Sequence, residues 1–304
     1  MADVFRAAGR PFEFLPIDNP AQITSVCERA VALAKAQGGV VVAAGGDGTI
    51  NAVAASVLRS SCPFGVLPQG TFNYFGRVNA IPQDTRAAAQ ALLGASLSPV
   101  AVGEVNGRVF LVNASLGLYP QILEDREAWK QQFGRSRLVA FAAGLATLLK
   151  AQGQMTLEIE LAGHTRGLRT PTLFVGNNAL QLDRVGMNPE QVHAVSQGEL
   201  AGIAIRPIST LALLGLLVRG LLGRLGDADH VESFSFTRLA VAVRGQRRPK
   251  TGPSNPPNPR THNRAVKVAT DGEITWMTPP LVFQVADVPL LLMVPAPADR
   301  AEVA

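Results

Sequence analysis

The sequence predicts an α/β N-terminal part built on a mostly parallel sheet, followed by a mainly antiparallel, sandwich-like β part. Two observations carry this. Up to about residue 97, strand-like and helix-like runs alternate with short links, the pattern of a helix-covered parallel sheet. From about Ser98 the period changes to short strand-like runs separated by turns. At 304 residues the chain is long enough for two ordinary domains.

The elements follow in order. PFEFLPI (11–17) reads as a strand. Asn19 supplies an N-cap and Pro20 a first-turn proline. Ile23, Val26, Cys27, Ala30, Val31 and Ala34 then recur at helical spacing until Gly38-Gly39 stops the helix. VVVAA (40–44) reads as a fully buried strand, TINAVAASVL (49–58) as a helix and FGVL (64–67) as another strand. Asp84 caps a helix that runs to about Leu93 and ends at Gly94. In VAVGEVNGRVFLVN (100–113), Asn106-Gly107 between two strand-like runs signals a type I′ hairpin. Further strands are expected at 155–161, 172–176, 200–207, 231–236, 239–244, 264–270 and 281–286, with helical stretches near 122–150 and 208–225. GQRRPKTGPSNPPNPRTHN (245–263) reads as a surface insertion.

Composition narrows the function classes. The chain is 47% hydrophobic and only 17% charged, which fits a packed globular protein rather than a disordered one. Its net charge of +5 favours phosphate-bearing partners. Few aromatics and no basic–aromatic interleaving argue against nucleic acid. Cys27 and Cys62 form neither a metal spacing nor a disulfide framework, and Cys27 sits on an apolar helix stripe. MADVFRAAGR lacks the apolar core of a signal peptide, so a reduced, cytoplasmic protein is expected. The segment 208–226 is interrupted by Arg219 and Arg224, which suits a buried or interfacial helix better than a membrane span.

Three stretches carry candidate chemistry. Gly45-Gly46-Asp47-Gly48-Thr49 stands where a strand gives way to a helix, the position where open α/β sheets bind ligands. Glycines there admit a phosphate close to the backbone, and helix N-terminal amides and the Thr49 hydroxyl add donors. Asp47 repels phosphate, so its role must differ, either binding through Mg²⁺ or contact with an attacking hydroxyl. GVLPQGTFNYFGR (65–77) again runs a buried strand into a turn, with Gly70, Thr71 and Asn73. VATDGEITW (268–276) offers Asp271 and Glu273, able to deprotonate a hydroxyl or organise Mg²⁺. Each stretch alone also reads as a simple turn.

Taken together and in this order, GGDGTIN, GVLPQGTFN, FLVNASLG (110–117) and ATDGE resemble the diacylglycerol kinase catalytic-domain superfamily of lipid, diacylglycerol and sphingosine kinases. The resemblance covers about residues 5–295. It implies a phosphofructokinase-like nucleotide domain over 1–97, completed by about 287–298, and a β-sandwich-like lipid-substrate domain over 98–286. ATP phosphates would lie against Gly45, Gly46, Gly48 and Thr49, with Gly70, Thr71 and Asn73 opposite. Glu273 matches the family's general base and Asp47 a carboxylate near the acceptor. The implied activity is transfer of the γ-phosphoryl group of ATP, with Mg²⁺, to a lipid hydroxyl, diacylglycerol by default. The alternatives are a catalytically weakened lipid-binding or regulatory member and an enzyme similar to NAD kinase. A membrane-surface lipid is the implied partner. Arg247, Arg248 and Lys250 are candidates for contact with anionic lipid on the inner membrane face. Oligomeric state has no sequence handle.

The chain departs from the family's pattern at four places. Relatives usually begin with a strand leading into an Asn-Pro-x-Ser-Gly-type phosphate loop, whereas this sequence opens on MADVFRAAGR. Either the start lies upstream, or this strand and loop are lacking. The family's frequent Asn-Asp is Asn73-Tyr74, and its frequent Glu after TIN is Ala52. Its structural metal site uses an Asp before Gly-x-Leu. Here that stretch is Gln197-Gly198-Glu199-Leu200, and the matching strand Asp is Ala101, so metal ligands are left unassigned.

Overall fold

Apolar runs become strands only where a neighbouring edge can satisfy their amides and carbonyls, and this decides the outcome from the first residues on. The protein is described here from a computed structural model, which describes residues 1–118, 154–207, 230–244 and 265–301, with the isolated positions 120, 215 and 219. Helix α1 (Ala2–Ala7) opens the chain. Residues 11–17 then form no strand, contrary to the sequence reading. They have no ladder partner among the described residues. Their aromatics pack locally instead, Phe12 against Phe14 with ring centroids 5.1 Å apart and against Phe5 at 5.8 Å.

Pro20–Gln22 form a 3-10 turn in which the Asn19 side chain accepts from the Ala21 amide at 2.9 Å. Helix α2 (Ile23–Gln37) follows and ends at Gly38 in the left-handed conformation. Strand β1 (Val41–Gly45) pairs in parallel with β2 (Phe64–Pro68), the two joined by α3 (Asp47–Leu58). β1 is not fully buried as the sequence suggests. Its burial alternates, and Val42 remains 37% exposed because β1 is the outer strand of its sheet. β2 lies inside the sheet and is buried throughout. Ile50, Val53, Ala54 and Val57 of α3 pack with Val41, Ala43, Phe64 and Val66 in one core.

The short α4 (Tyr74–Val78) and α5 (Thr85–Leu93) lead to β3 (Ser96–Val100). Asp84 caps α5 as expected, accepting from the amides of Arg86 at 3.1 Å and Ala87 at 2.8 Å. The first sheet is completed by β16 (Leu290–Val294) from the far end of the chain, parallel to β2 and antiparallel to β3, in the order β1-β2-β16-β3.

Between β3 and β16 the pairing is antiparallel throughout. One six-stranded sheet runs β11 (Val231–Phe236), β10 (Leu200–Ile205), β9 (Thr172–Gly176), β6 (Asn113–Gly117), β13 (Val266–Thr270), β14 (Glu273–Met277). The other runs β5 (Arg108–Phe110), β4 (Gly103–Val105), β15 (Leu281–Val285), β12 (Arg238–Arg244), β7 (Met155–Leu161), β8 (His164–Thr170). A single core holds Leu116, Val175 and Val268 of the first with Ile159, Val241 and Phe283 of the second, so the sheets pack as a sandwich. Asn106 and Gly107 both take positive φ, 48° and 78°, in the predicted β4–β5 hairpin. The architecture is therefore the α/β domain plus antiparallel β domain that the sequence suggests.

Cys27 and Cys62 are both buried free thiols, and burial pushes each thiol up from its ordinary value. The helical stretches expected near 122–150 and 208–225, and the basic insertion 245–263, lie outside the described residues apart from the isolated positions. Among the described residues no helix is long and apolar enough to cross a membrane.

Removing the Asp84 cap orphans two amides at the start of α5. Asp84→Ala is expected to lower stability by about 1 kcal/mol, read from urea unfolding midpoints at constant slope.

Candidate functional site

The parallel pairing of β1 and β2 brings two turns to the same edge, because Gly45 is in register with Pro68. The Gln69 amide donates to the Gly45 carbonyl at 2.8 Å and fixes the second turn against the first. Gly70 must be glycine. A Cβ there would lie 2.7 Å from Asn73 Oδ1 and 2.9 Å from the Gly46 Cα. At Gly45 a Cβ would meet the Thr49 side chain at 2.8 Å, so Thr49 folds back over the end of β1. The predicted residues Gly45, Gly46, Gly48, Thr49, Gly70 and Thr71 thus share one seam at the carboxyl ends of two parallel strands, the usual ligand position in such sheets.

Asn73 serves the turn itself. It is buried, takes a left-handed φ of 49°, accepts from the Gly70 amide at 2.9 Å and donates to the Gly70 carbonyl at 2.9 Å and to Gln83 Oε1 at 3.0 Å.

Asp47 opens α3 and reaches across the seam. Its Oδ2 accepts from the Asn73 amide at 3.0 Å, joining the start of α3 to the start of α4. Its Oδ1 is buried with no hydrogen-bond partner. Burial pushes this carboxyl above its ordinary 3.8, while the amides of Asn73, Tyr74 and Phe75 and the charge of Arg77 pull it down. A buried acceptor oxygen without a partner calls for a donor or a cation.

The third stretch divides into two roles. Asp271 and Gly272 form a hairpin turn with φ of 48° and 88°, joining β13 to β14. Asp271 is not a cleft carboxylate able to organise Mg²⁺. It is half-buried, with its carboxylate turned inward to accept from the amides of Leu111 at 2.7 Å, Val112 at 2.9 Å and Asn113 at 2.8 Å. The fourth donor is Asn51 Nδ2 of α3. Burial pushes the Asp271 carboxyl up, against these donors.

Glu273 is exposed at the first position of β14 and pairs with Arg108 Nη2 at 2.8 Å. Arg108 Nε also donates to Thr270 Oγ1 at 2.9 Å. Glu273 Oε1 lies 3.6 Å from where a Cβ on Gly48 would stand, so the predicted base abuts the first turn of α3. Asn51 and Arg108 were not foreseen as site residues. Their partners lie 220 and 165 positions away, and no local pattern announces such pairs.

Tyr74 supplies no charge here. Its ring stacks on exposed Phe72 at 5.8 Å with a 5° interplanar angle, and its carbonyl accepts from Asn178 Nδ2 at 3.1 Å. Ala101 and Gly198 are neighbours, with 3.4 Å between Ala101 Cβ and a Cβ built on Gly198. Among the described residues no three His, Cys, Asp or Glu side chains cluster to hold a metal ion. A divalent cation carried by phosphates needs only one or two protein carboxylates, and the bare Asp47 Oδ1 fits that lesser demand.

Paired glycine turns at adjacent parallel strand ends, approached by the Glu273 carboxylate from the β part, define an α/β class with a seam at its strand ends. Within that class, residues 1–105 match the family described as the diacylglycerol kinase catalytic domain, which the motifs resemble. A "Probable lipid kinase YegS-like" protein of Pseudomonas aeruginosa is 38% identical over 114 residues, 37% of this chain and 36% of that one. A "Diacylglycerol kinase" of Staphylococcus aureus is 36% identical over 85 residues, 27% of each chain. The chain therefore spans about a third of the length of the first of these curated relatives and about a quarter of the second. A diacylglycerol kinase structure from Bacillus anthracis shares the fold over 96% of this chain and 88% of its own, with a TM-score of 0.62 at 15% identity. A second structure from that organism gives 0.67 at 17% identity, over 96% and 89%.

Asp271→Asn would turn an amide NH₂ toward backbone donors that now meet carboxylate oxygens. It is expected to cost about 3 kcal/mol in urea unfolding, from leaving two buried donors unpaired. The pH dependence carries a sign. A carboxyl whose folded pKa is raised contributes stability fully present below its unfolded value and lost as pH rises through the folded one. Urea midpoints of wild type, measured upward from the ordinary carboxylate range, should therefore fall more steeply than those of Asp271→Asn.

Proposed function

We propose that this protein is an ATP-dependent lipid kinase that transfers the γ-phosphoryl group to the hydroxyl of a lipid, diacylglycerol or a related lipid alcohol. The observation that carries the reading is the approach of Glu273 to Gly48, at the foot of the seam between the two glycine turns. The match of residues 1–105 to the diacylglycerol kinase catalytic domain supports it. In this reading residues 1–97, with 287–298, bind the nucleotide and residues 98–286 the lipid. The protein works in the cytoplasm at the inner membrane face.

The backbone amides at Gly45, Gly46, Gly48 and Thr49 receive the phosphates, with Gly70 and Thr71 opposite. Asn73 holds the second turn in shape. Asp47 Oδ1 is the protein oxygen that would hold Mg²⁺, which supplies neutralisation of charge on the transferring group. The acceptor hydroxyl forms its bond to the γ-phosphorus while the bond to the bridging oxygen of ADP breaks. A neutral alcohol is a weak nucleophile, so Glu273 takes its proton as the new bond forms. Arg108 restrains that carboxylate by its ion pair.

General-base assistance is worth about 10²–10⁴-fold. Glu273→Gln should therefore lower Mg-dependent transfer of radiolabelled phosphate from ATP to lipid at least about 100-fold. Mg-ATP should still raise its melting temperature. Near-normal turnover by the purified variant would remove Glu273 from this role. Lipid binding by wild type with no ATP-induced stabilisation would favour a binding protein over a kinase.

A further inference from the structure

A short helix, α6 (Ala179–Arg184), follows β9 and is bonded to both halves of the candidate site. Its Leu182 is buried with Phe174 of β9 and with Ala201 and Ile203 of β10, so the helix is seated on the β part. Two polar side chains at its start reach beyond that seat. Asn178 is 1% exposed. Its Oδ1 accepts from the Gln181 amide at 2.9 Å and caps the helix, while its Nδ2 donates to the Tyr74 carbonyl at 3.1 Å. Gln181 Oε1 accepts from Asn113 Nδ2 at 3.2 Å.

Each contact leads to one end of the site. Tyr74 opens α4, and the Asn73 amide just before it is the donor to Asp47 Oδ2. The Asn113 carbonyl accepts the Asp271 amide at 2.9 Å, and the Asn113 amide donates to Asp271 Oδ1 at 2.8 Å, two positions before Glu273. Helix α6 therefore braces the start of α4 against the hairpin, separately from the Asn51–Asp271 contact that α3 makes. Asparagine is the residue this brace needs. Serine or aspartate could cap α6, but serine is too short to reach Tyr74 as well, and an ionised aspartate has no hydrogen to give its carbonyl. Phosphoryl transfer is sensitive to such spacing, since a misplacement of about 1 Å costs about 100-fold. The two carboxylates assigned to the reaction, Asp47 and Glu273, stand on different parts of the fold.

We propose that Asn178 is a positioning residue for phosphoryl transfer: through α6 it holds the seam that carries Asp47 at its working distance from the hairpin that carries Glu273. For the reaction this rests on the kinase reading, and the brace itself does not. Asn178 acts through the Tyr74 carbonyl and touches neither nucleotide nor lipid. Its loss frees the start of α4 while the turn from Gly45 to Thr49 keeps its place.

The test compares Asn178→Ser and Asn178→Asp, which both keep the cap, with wild type and with Asn188→Ser in the full chain. Asn188 is the exposed cap of the next helix, Pro189–Ser196, and serves as the control. Hydrogen exchange of the Asn73 amide is measured without nucleotide, against the amides of the core strand β2. Mg-ATP affinity is measured by calorimetry, and turnover as transfer of radiolabelled phosphate to extracted bacterial lipids. In both Asn178 variants the Asn73 amide is expected to exchange about tenfold faster, with β2 unchanged. Turnover should fall at least about tenfold, with Mg-ATP affinity held within about twofold. Asn188→Ser should match wild type. Unchanged Asn73 exchange, equal acceleration at Asn73 and in β2, or turnover that falls only in step with Mg-ATP affinity would overturn the proposal. Faster Asn73 exchange with no lipid phosphorylated by wild type would defeat the kinase reading and leave the brace standing. Lipid phosphorylation by wild type and both Asn178 variants alike would do the reverse.

Discussion

The backbone of Gly70 lies so close to that of Gly46 that a Cβ at residue 70 would meet the Gly46 Cα at 2.9 Å. This one constraint brings the turns after β1 and β2 into a single seam. It explains why residue 70 must be glycine, and it follows from the two turns sitting on adjacent parallel strands. Asp47 reinforces it by accepting the Asn73 amide across the seam. Asp47 therefore does two things at once: one oxygen joins α3 to α4, and the other remains bare.

The second domain is held to this seam by a different carboxylate. Asp271 gathers three consecutive amides at the β5–β6 connection and the Asn51 amide of α3. The hairpin that carries Glu273 is thereby tied to the helix that carries Asp47. One residue, Gly272, separates the inward-facing clamp from the exposed acid, and the two carboxylates have opposite demands. Asp271 is defined by its donors, whereas Glu273 is exposed and pairs with Arg108. A short polar motif thus combines a positioning carboxylate with an exposed one.

Much of this was legible in the sequence, for identifiable reasons. The glycine turns, the Asp84 cap and the Asn106-Gly107 hairpin are set by local backbone chemistry, which a few neighbouring residues reveal. The strand at 11–17 failed because alternation of apolar residues says nothing about whether an edge is available to pair. β1 misled for a related reason, since a run of valines and alanines does not show which strand ends the sheet. Asp271 read as a second active carboxylate because its four donors come from residues 51 and 111–113, distant in sequence. The place of Arg108 beside Thr270 and Glu273 is likewise a product of tertiary packing.

The central claim is that nucleotide phosphates bind in the seam. The most direct measurement is a titration of isotopically labelled protein with Mg-ATP, following backbone amide resonances. The amides of Gly45, Gly46, Gly48, Thr49, Gly70 and Thr71 are predicted to shift together and saturate at one affinity. Saturating shifts confined to other residues, with these six unmoved, would contradict it.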